Sequence, residues 1–140
     1  MAGYSNTPLP KKLGIQPGAT VVVINAPVNF RKILGRIPED VTFADKVRPG
    51  SNFIHLFTTR RSELAKRIKT LRPKMADQGI LWISWPKKSA GVPTDVTEDV
   101  IRAVALPLGL VDTKVCAVDE VWSGLKLMIR RENRKSAGKR

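Results

Sequence analysis

Gly79-Ile80-Leu81-Trp82-Ile83-Ser84-Trp85-Pro86-Lys87-Lys88-Ser89-Ala90-Gly91 is the stretch whose reading decides the fold. Ile80, Leu81, Trp82 and Ile83 form an unbroken apolar run, the mark of a strand covered on both faces. Ser84 and Trp85 bring that strand to its end. Pro86 removes a backbone donor that a central ladder needs. Lys87, Lys88 and Ser89 therefore fall where an open α/β sheet keeps its ligand crevice, outside the carboxyl ends of the strands.

Upstream, Val21–Ile24 is a short β-branched run that predicts a buried strand, broken by Asn25-Ala26-Pro27. Phe30, Ile33 and Leu34 have helical spacing, and Gly35 suits the end of that helix. Val41–Ala44 predicts a weak outer strand. After a turn at Arg48–Ser51, Phe53–Phe57 predicts a third buried strand. Thr58 and Thr59 then offer hydroxyls at the start of a helix over 60–75. Its Leu64, Ile68, Leu71 and Met75 make one apolar stripe.

Downstream, Pro93 precedes a second long helix. Asp95 and Glu98 are spaced as a capping box, with Thr94 and Thr97 as alternative caps. Val96, Val100, Ile101 and Val104 form its apolar face, and Pro107 with Gly109 stops it. Thr113–Val118 and Leu125–Arg130 read as strands joined by a turn short enough for an antiparallel hairpin. The succession predicts a six-stranded, mainly parallel α/β sheet with helices on both faces, in the order 2-1-3-4-6-5 with strand 6 antiparallel. Residues 1–12 read as an arm with at most one helical turn, 13–130 as a single domain, and 131–140 as a basic, disordered tail.

A chain of 140 residues makes one domain of common size. Its net charge of +13 is the unusual quantity, and residues 130–140 hold six basic side chains against one acidic. That balance favours anionic partners, either small molecules or nucleic acid, or else serves only solubility. Cys116 is the only cysteine and His55 the only histidine, which excludes an internal disulfide and a zinc site. The N-terminus lacks the apolar core of a signal peptide, and no apolar run reaches the ~20 residues of a membrane span. The expected location is the cytoplasm, with no membrane partner.

At this point the chain resembles class I methyltransferases, a Rossmann-like, three-layer family. Leu13-Gly14-Ile15-Gln16-Pro17-Gly18 leading into Val21–Ile24 looks like the lead-in to their first strand. Leu71–Gly79 leading into Ile80–Ser84 is similar to the turn before their fifth. The closing hairpin is also shared. The resemblance implies S-adenosylmethionine as cofactor, a Gly-rich loop after the first strand, and an acidic residue after the second, for which Asp45 is the match. Here that loop, Asn25-Ala26-Pro27-Val28-Asn29-Phe30, holds no glycine, and Pro27 has no N–H. The expectation is therefore that no cofactor binds, and S-adenosylmethionine weakly or not at all. The chain also resembles a family of small bacterial proteins known as a domain of unknown function. Met1–Ser5, Leu81–Lys88 and Val115–Lys126 carry that likeness.

Candidate site residues gather on the strand-end rim: Asn25, Thr58, Thr59, Trp85, Lys87, Lys88, Ser89, Asp119, Glu120 and Trp122. Lys87, Lys88 and Ser89 suit a phosphate or carboxylate, or form a solvated basic loop. Asp119 and Glu120 pair with those lysines, serve as acid and base, or stay exposed. Trp85 and Trp122 are aromatic platforms or packing residues. His55 and Cys116, inside apolar runs, read as structural. Arg60, Arg61, Lys66, Arg67, Lys69 and Arg72 cover one helix face, which tracks phosphates or is merely solvated. The leading expectation is a non-catalytic protein that binds an anionic small ligand at the rim. The alternatives are a nucleic-acid-associated protein using the basic helix and tail, and a divergent small-molecule enzyme such as a methyltransferase.

Overall fold

Six runs become strands in the computed structural model, which describes residues 7–135. They are β1 (Thr20–Ile24), β2 (Thr42–Ala44), β3 (Ser51–Phe57), β4 (Met75–Pro86), β5 (Leu110–Ala117) and β6 (Trp122–Ile129). They join one sheet in the expected order β2-β1-β3-β4-β6-β5. The first four are parallel, and β6 runs antiparallel to both β4 and β5. Period-two alternation divides the side chains between two cores. On one face, α1 (Leu9–Leu13) and α2 (Phe30–Leu34) pack with Val21, Phe53, Phe57 and Trp82. On the other, α3 (Arg61–Leu71) and α4 (Glu98–Ala105) bury Leu64, Ile68 and Ile101 against Ile54, Leu56, Ile83 and Leu125.

Several boundaries move, each for a physical reason. The first helix takes in Leu13, which is fully buried and draws the arm onto the sheet. Pro73 ends α3 at Leu71, a 3-10 turn covers Arg72–Lys74, and Met75 begins β4 instead of completing a helical stripe. Between Met75 and Ile80 the β3–β4 register shifts, and Gly79 sits at the shift. A Cβ there would lie 2.8 Å from the Ser51 carbonyl oxygen. Thr97 is the cap of α4, its hydroxyl accepting from Val100 N at 3.2 Å. At the other end, Arg131–Asn133 form a 3-10 turn, and Lys135 N donates to Asp77 Oδ1 at 2.9 Å. Within the expected tail, 131–135 thus hold a turn and a bond to β4, and the remainder lies outside the described residues.

The connection from β2 to β3 is the unusual one. Parallel strands of one sheet are normally joined by a dozen or more residues, most often a helix. Here residues 45–50 alone make the crossing. The trip is short because β2 is only three residues long. Sheet direction reverses between β1→β2 and β2→β3, so the right-handed rule puts this crossing on the α3 face. Val47 accordingly packs on that core. With no helix beside it, a gap stays open between the crossing and α3.

Trp82 packs closely against Gly124 of β6 in the middle of the sheet. A Cβ at Gly124 would meet Trp82 Cε3 at 3.1 Å and Val118 Cγ2 at 3.3 Å. Trp82 is fully buried and its indole N–H is tied to the Leu13 carbonyl at 2.8 Å, so it has no room to retreat. Gly124→Ala is expected to cost ~1–3 kcal/mol, as overpacked cores do. In urea titration the midpoint should fall with the slope unchanged. An unshifted midpoint would mean that the indole is free to move.

Candidate functional site

β1 and β3 are neighbours, but the chain leaves β1 towards β2 and leaves β3 towards β4. The crevice between their carboxyl ends is therefore the topological switch point, where open α/β sheets place ligands. At the end of β1 the chain turns sharply at Asn25, whose φ is 60°. That left-handed conformation normally asks for glycine, and asparagine is among the few side chains that tolerate it. Across the crevice, Thr58 is buried and its hydroxyl donates to Glu63 Oε1 at 2.9 Å. The Asn25 amide donates to Glu63 Oε2 at 3.4 Å. Glu63 thus spans the ends of β1 and β3 from the first turn of α3, where the helix dipole favours a carboxylate.

A distant loop fixes the start of α3. Arg60 at its cap position supplies no side-chain bond, and Asp95 Oδ1 instead accepts from Arg61 N at 2.6 Å. Thr94 Oγ1 donates to the Thr59 carbonyl at 2.8 Å. Asp95, expected to cap its own helix, therefore caps another. From this corner a cleft of about 830 Å³ opens along α3, bounded on its far side by the helix-free crossing. Ile24, Val47 and Leu71 give it an apolar wall, Asp45 and Glu63 its carboxylates, and Lys46, Arg60, Lys66, Arg67 and Lys74 a basic flank. Among the described residues the ion pairs are those of Arg102 with Glu98, Asp99 and Asp112, and of Arg130 with Glu132. None of these pairs among the described residues involves a cation of α3.

The other rim candidates lie apart from this cleft. Trp85 is buried in the core under α3 and α4. Trp122 lies on the opposite face, edge-on to Phe57 with centroids 5.1 Å apart. The two indoles therefore share no platform. Asp119 Oδ1 accepts from Val121 N at 2.9 Å and Trp122 N at 2.7 Å, closing the hairpin turn. Lys87 N donates to the Val121 carbonyl at 2.7 Å and ties the end of β4 to that turn. Lys88, Ser89 and Glu120 are exposed. Of the rim set, the structure brings Asn25, Thr58 and Thr59 to one crevice. Glu63 was missed, although an acid in the first turn of the helix after Thr58 and Thr59 was visible in the sequence.

Solved structures similar to this fold are methyltransferase-like. A SAM-dependent methyltransferase from Aquifex aeolicus matches with a TM-score of 0.62 and 17% identity over 85% of this chain and 86% of that one. A ribosomal protein L11 methylase from Lactobacillus delbrueckii subsp. bulgaricus gives 0.57 and 12%, over 87% and 75%. LepI in complex with SAM gives 0.53 and 14% over 87% of this chain, which spans only 39% of LepI. At such identities the likeness establishes the fold, Rossmann-like and methyltransferase-like. Neither a family model nor a curated protein matches the sequence. The expectation of no cofactor, with S-adenosylmethionine (SAM) disfavoured, is corrected by these neighbours, one described as SAM-dependent and one solved with SAM and, in a variant, with SAH. The glycine argument behind that expectation was too strict, since the left-handed turn is present and Asn25 makes it. Among the described residues no helix is long and apolar enough to cross a membrane.

His55 is closed to this chemistry. Its Nε2 lies 2.7 Å from Ser84 Oγ, but both residues are fully buried and Nδ1 has no partner. The ring is stacked on Phe57 at 4.3 Å and meets the edge of Phe30 at 5.6 Å. Burial lowers its pKa to about 3. The folded value lies below the unfolded one, so acid protonates the unfolded chain first. The stability carried by neutral His55 is whole above pH ~6.5 and is lost as pH falls towards 3, by up to ~1.4 kcal/mol per unit. Urea midpoints followed from neutral to acid pH should fall more steeply in the wild type than in a His55→Phe, Ser84→Ala variant. Parallel curves would show that His55 titrates normally.

Proposed function

We propose that the chain binds S-adenosylmethionine in the cleft at the end of β1 and acts as a divergent methyltransferase. The observation that carries this reading is one cleft holding two carboxylates, Asp45 and Glu63, beside the left-handed turn at Asn25. Its donor set fits the cofactor. Asp45 follows β2 and is exposed, and its oxygens accept from a ribose diol. Glu63 is held by Thr58 and Asn25 and keeps lone pairs for an ammonium group. Arg60 and Lys46 suit a carboxylate, and the wall of Ile24, Val47 and Leu71 suits a flat base. The cleft volume falls within the ~300–1,000 Å³ of small-molecule sites. When bound, the cofactor supplies a methyl group made transferable by its sulfonium. The chain's own part is to hold and orient it. Asp95 and Thr94 fix the start of α3 and so fix Glu63.

Calorimetry with SAM and with SAH tests this. Saturable binding is expected, and Asp45→Asn should weaken it about tenfold or more, the worth of a hydrogen bond to a charged group. Asp45 is exposed, so the variant keeps its fold. No saturable heat with millimolar ligand would sink the reading.

The unpaired cations of α3 favour a second reading, a nucleic-acid partner lying along that helix. Arg60, Arg61, Lys66, Arg67 and Lys69 form no ion pair among the described residues. Affinity for an oligonucleotide should then fall linearly with salt on a log–log scale, and Lys66→Ala, Arg67→Ala should make the slope shallower by about two contacts. A salt-independent affinity would exclude phosphate tracking.

A further inference from the structure

The sheet carries a second basic cavity, on the opposite face and the opposite edge from the cleft. β5 and β6 pair regularly from Leu110↔Ile129 to Asp112↔Leu127, then the register shifts, and Lys114 stands opposite Lys126. The shift is a bulge at Thr113. Without it, Thr113 would face Lys126, and Lys114 would point to the other side of the sheet. The bulge therefore re-aims Lys114 onto the face that holds Lys126 and Cys116. Two like charges directly opposite on a sheet repel. A bulge that creates such a pair needs a reason beyond sheet stability.

A third lysine joins them. Lys12 of α1 donates from Nζ to the Ala117 carbonyl at 3.1 Å, and Lys114 Nζ donates to the Lys12 carbonyl at 3.0 Å. Both ammonium groups are thereby held in place, and each keeps two further N–H donors. Between α1 and β5 lies a cavity of about 660 Å³ lined by Lys11, Lys12, Lys114, Cys116, Thr7 and Ser123, with no acidic residue in its wall. Lys12, Lys114 and Lys126 all act electrostatically on the Cys116 thiol, each favouring its ionised form against the larger effect of burial.

We propose that this cavity binds a phosphate group, through the ammonium groups of Lys12 and Lys114 with hydroxyls from Thr7 and Ser123. Cations already tied to backbone carbonyls surrender little side-chain freedom on binding, which separates this site from scattered surface lysines. The phosphate belongs either to a small phosphomonoester or to a nucleic-acid backbone, since both present the same oxygens. The site shares no residue with the cleft along α3, so it stands or falls independently of cofactor binding.

Cys116 is the only cysteine and lies in the cavity wall, so it reports directly on occupancy. In the full chain, its alkylation by iodoacetamide is followed with inorganic phosphate added at constant ionic strength against chloride. Phosphate should slow alkylation several-fold with saturation and raise the melting temperature. Both effects should vanish in Lys114→Ala and, separately, in Lys12→Met, which keeps the aliphatic stem. A mononucleotide that protects where a short oligonucleotide does not marks a small ligand. Protection by the oligonucleotide at lower concentration marks a backbone. Unchanged alkylation in phosphate, or equal slowing in both lysine variants, would overturn the proposal.

Discussion

The indole N–H of Trp82 is the group on which the rest of the arrangement depends. It sits at the centre of β4 with no exposure to water, so it must find an acceptor inside the protein. That acceptor is the carbonyl of Leu13, at 2.8 Å and 69 positions away in sequence. Leu13 is the last residue of α1, where carbonyls lack intrahelical partners. One bond thus satisfies two groups that would otherwise be orphaned, and it fastens the N-terminal helix to the central strand. Gly124 leaves the space that the ring occupies. With α1 fixed, Lys12 reaches the Ala117 carbonyl and Lys114 reaches back to Lys12.

The two faces of the sheet are closed unequally at the carboxyl end. On the α2 face, Phe30, His55, Phe57 and Trp122 form a chain of ring contacts that seals the surface. On the α3 face, the helix-free crossing of residues 45–50 leaves it open. This asymmetry, more than the identity of any loop, sends the crevice towards α3. It also explains why Trp122, at the expected rim, packs within the protein while Glu63 faces the cleft. The polar contacts at the crevice come from three separate segments: Asn25 after β1, Thr58 after β3, and Asp95 from the loop before α4.

The strand order was legible because its signals were local. Ile80–Ile83 and Val21–Ile24 read as unbroken apolar runs and Phe53–Phe57 as one interrupted only by His55, while the turn after Val118 is too short for anything but a hairpin. The site was less legible because its signals depend on the third dimension. Asn25 looked like a missing glycine, yet its positive φ is fixed by how the chain leaves β1, a dihedral that residue type does not state. Asp95 and Glu98 had capping-box spacing, but tertiary contact gave Asp95 to Arg61 and left Thr97 to cap α4. Trp85 lies near the end of β4 and Trp122 opens β6, and only the pleat decides that they point to opposite faces. Lys114 and Lys126 come together through a bulge that no alternation pattern announces.

The six-residue crossing between β2 and β3 bears on how such a chain can diverge over generations. Loop closure grows costlier only with the logarithm of length, by about 0.6 kcal/mol for each doubling. An insertion between Lys46 and Gly50 would therefore burden the frame little, since β2 is short and lies at the sheet's edge. New chain added there would lie directly over the open cleft. Selection could thus reshape what enters the crevice, or roof it with a helix, without touching the strands beneath. A slight connection over the cleft is thus also an adaptable one.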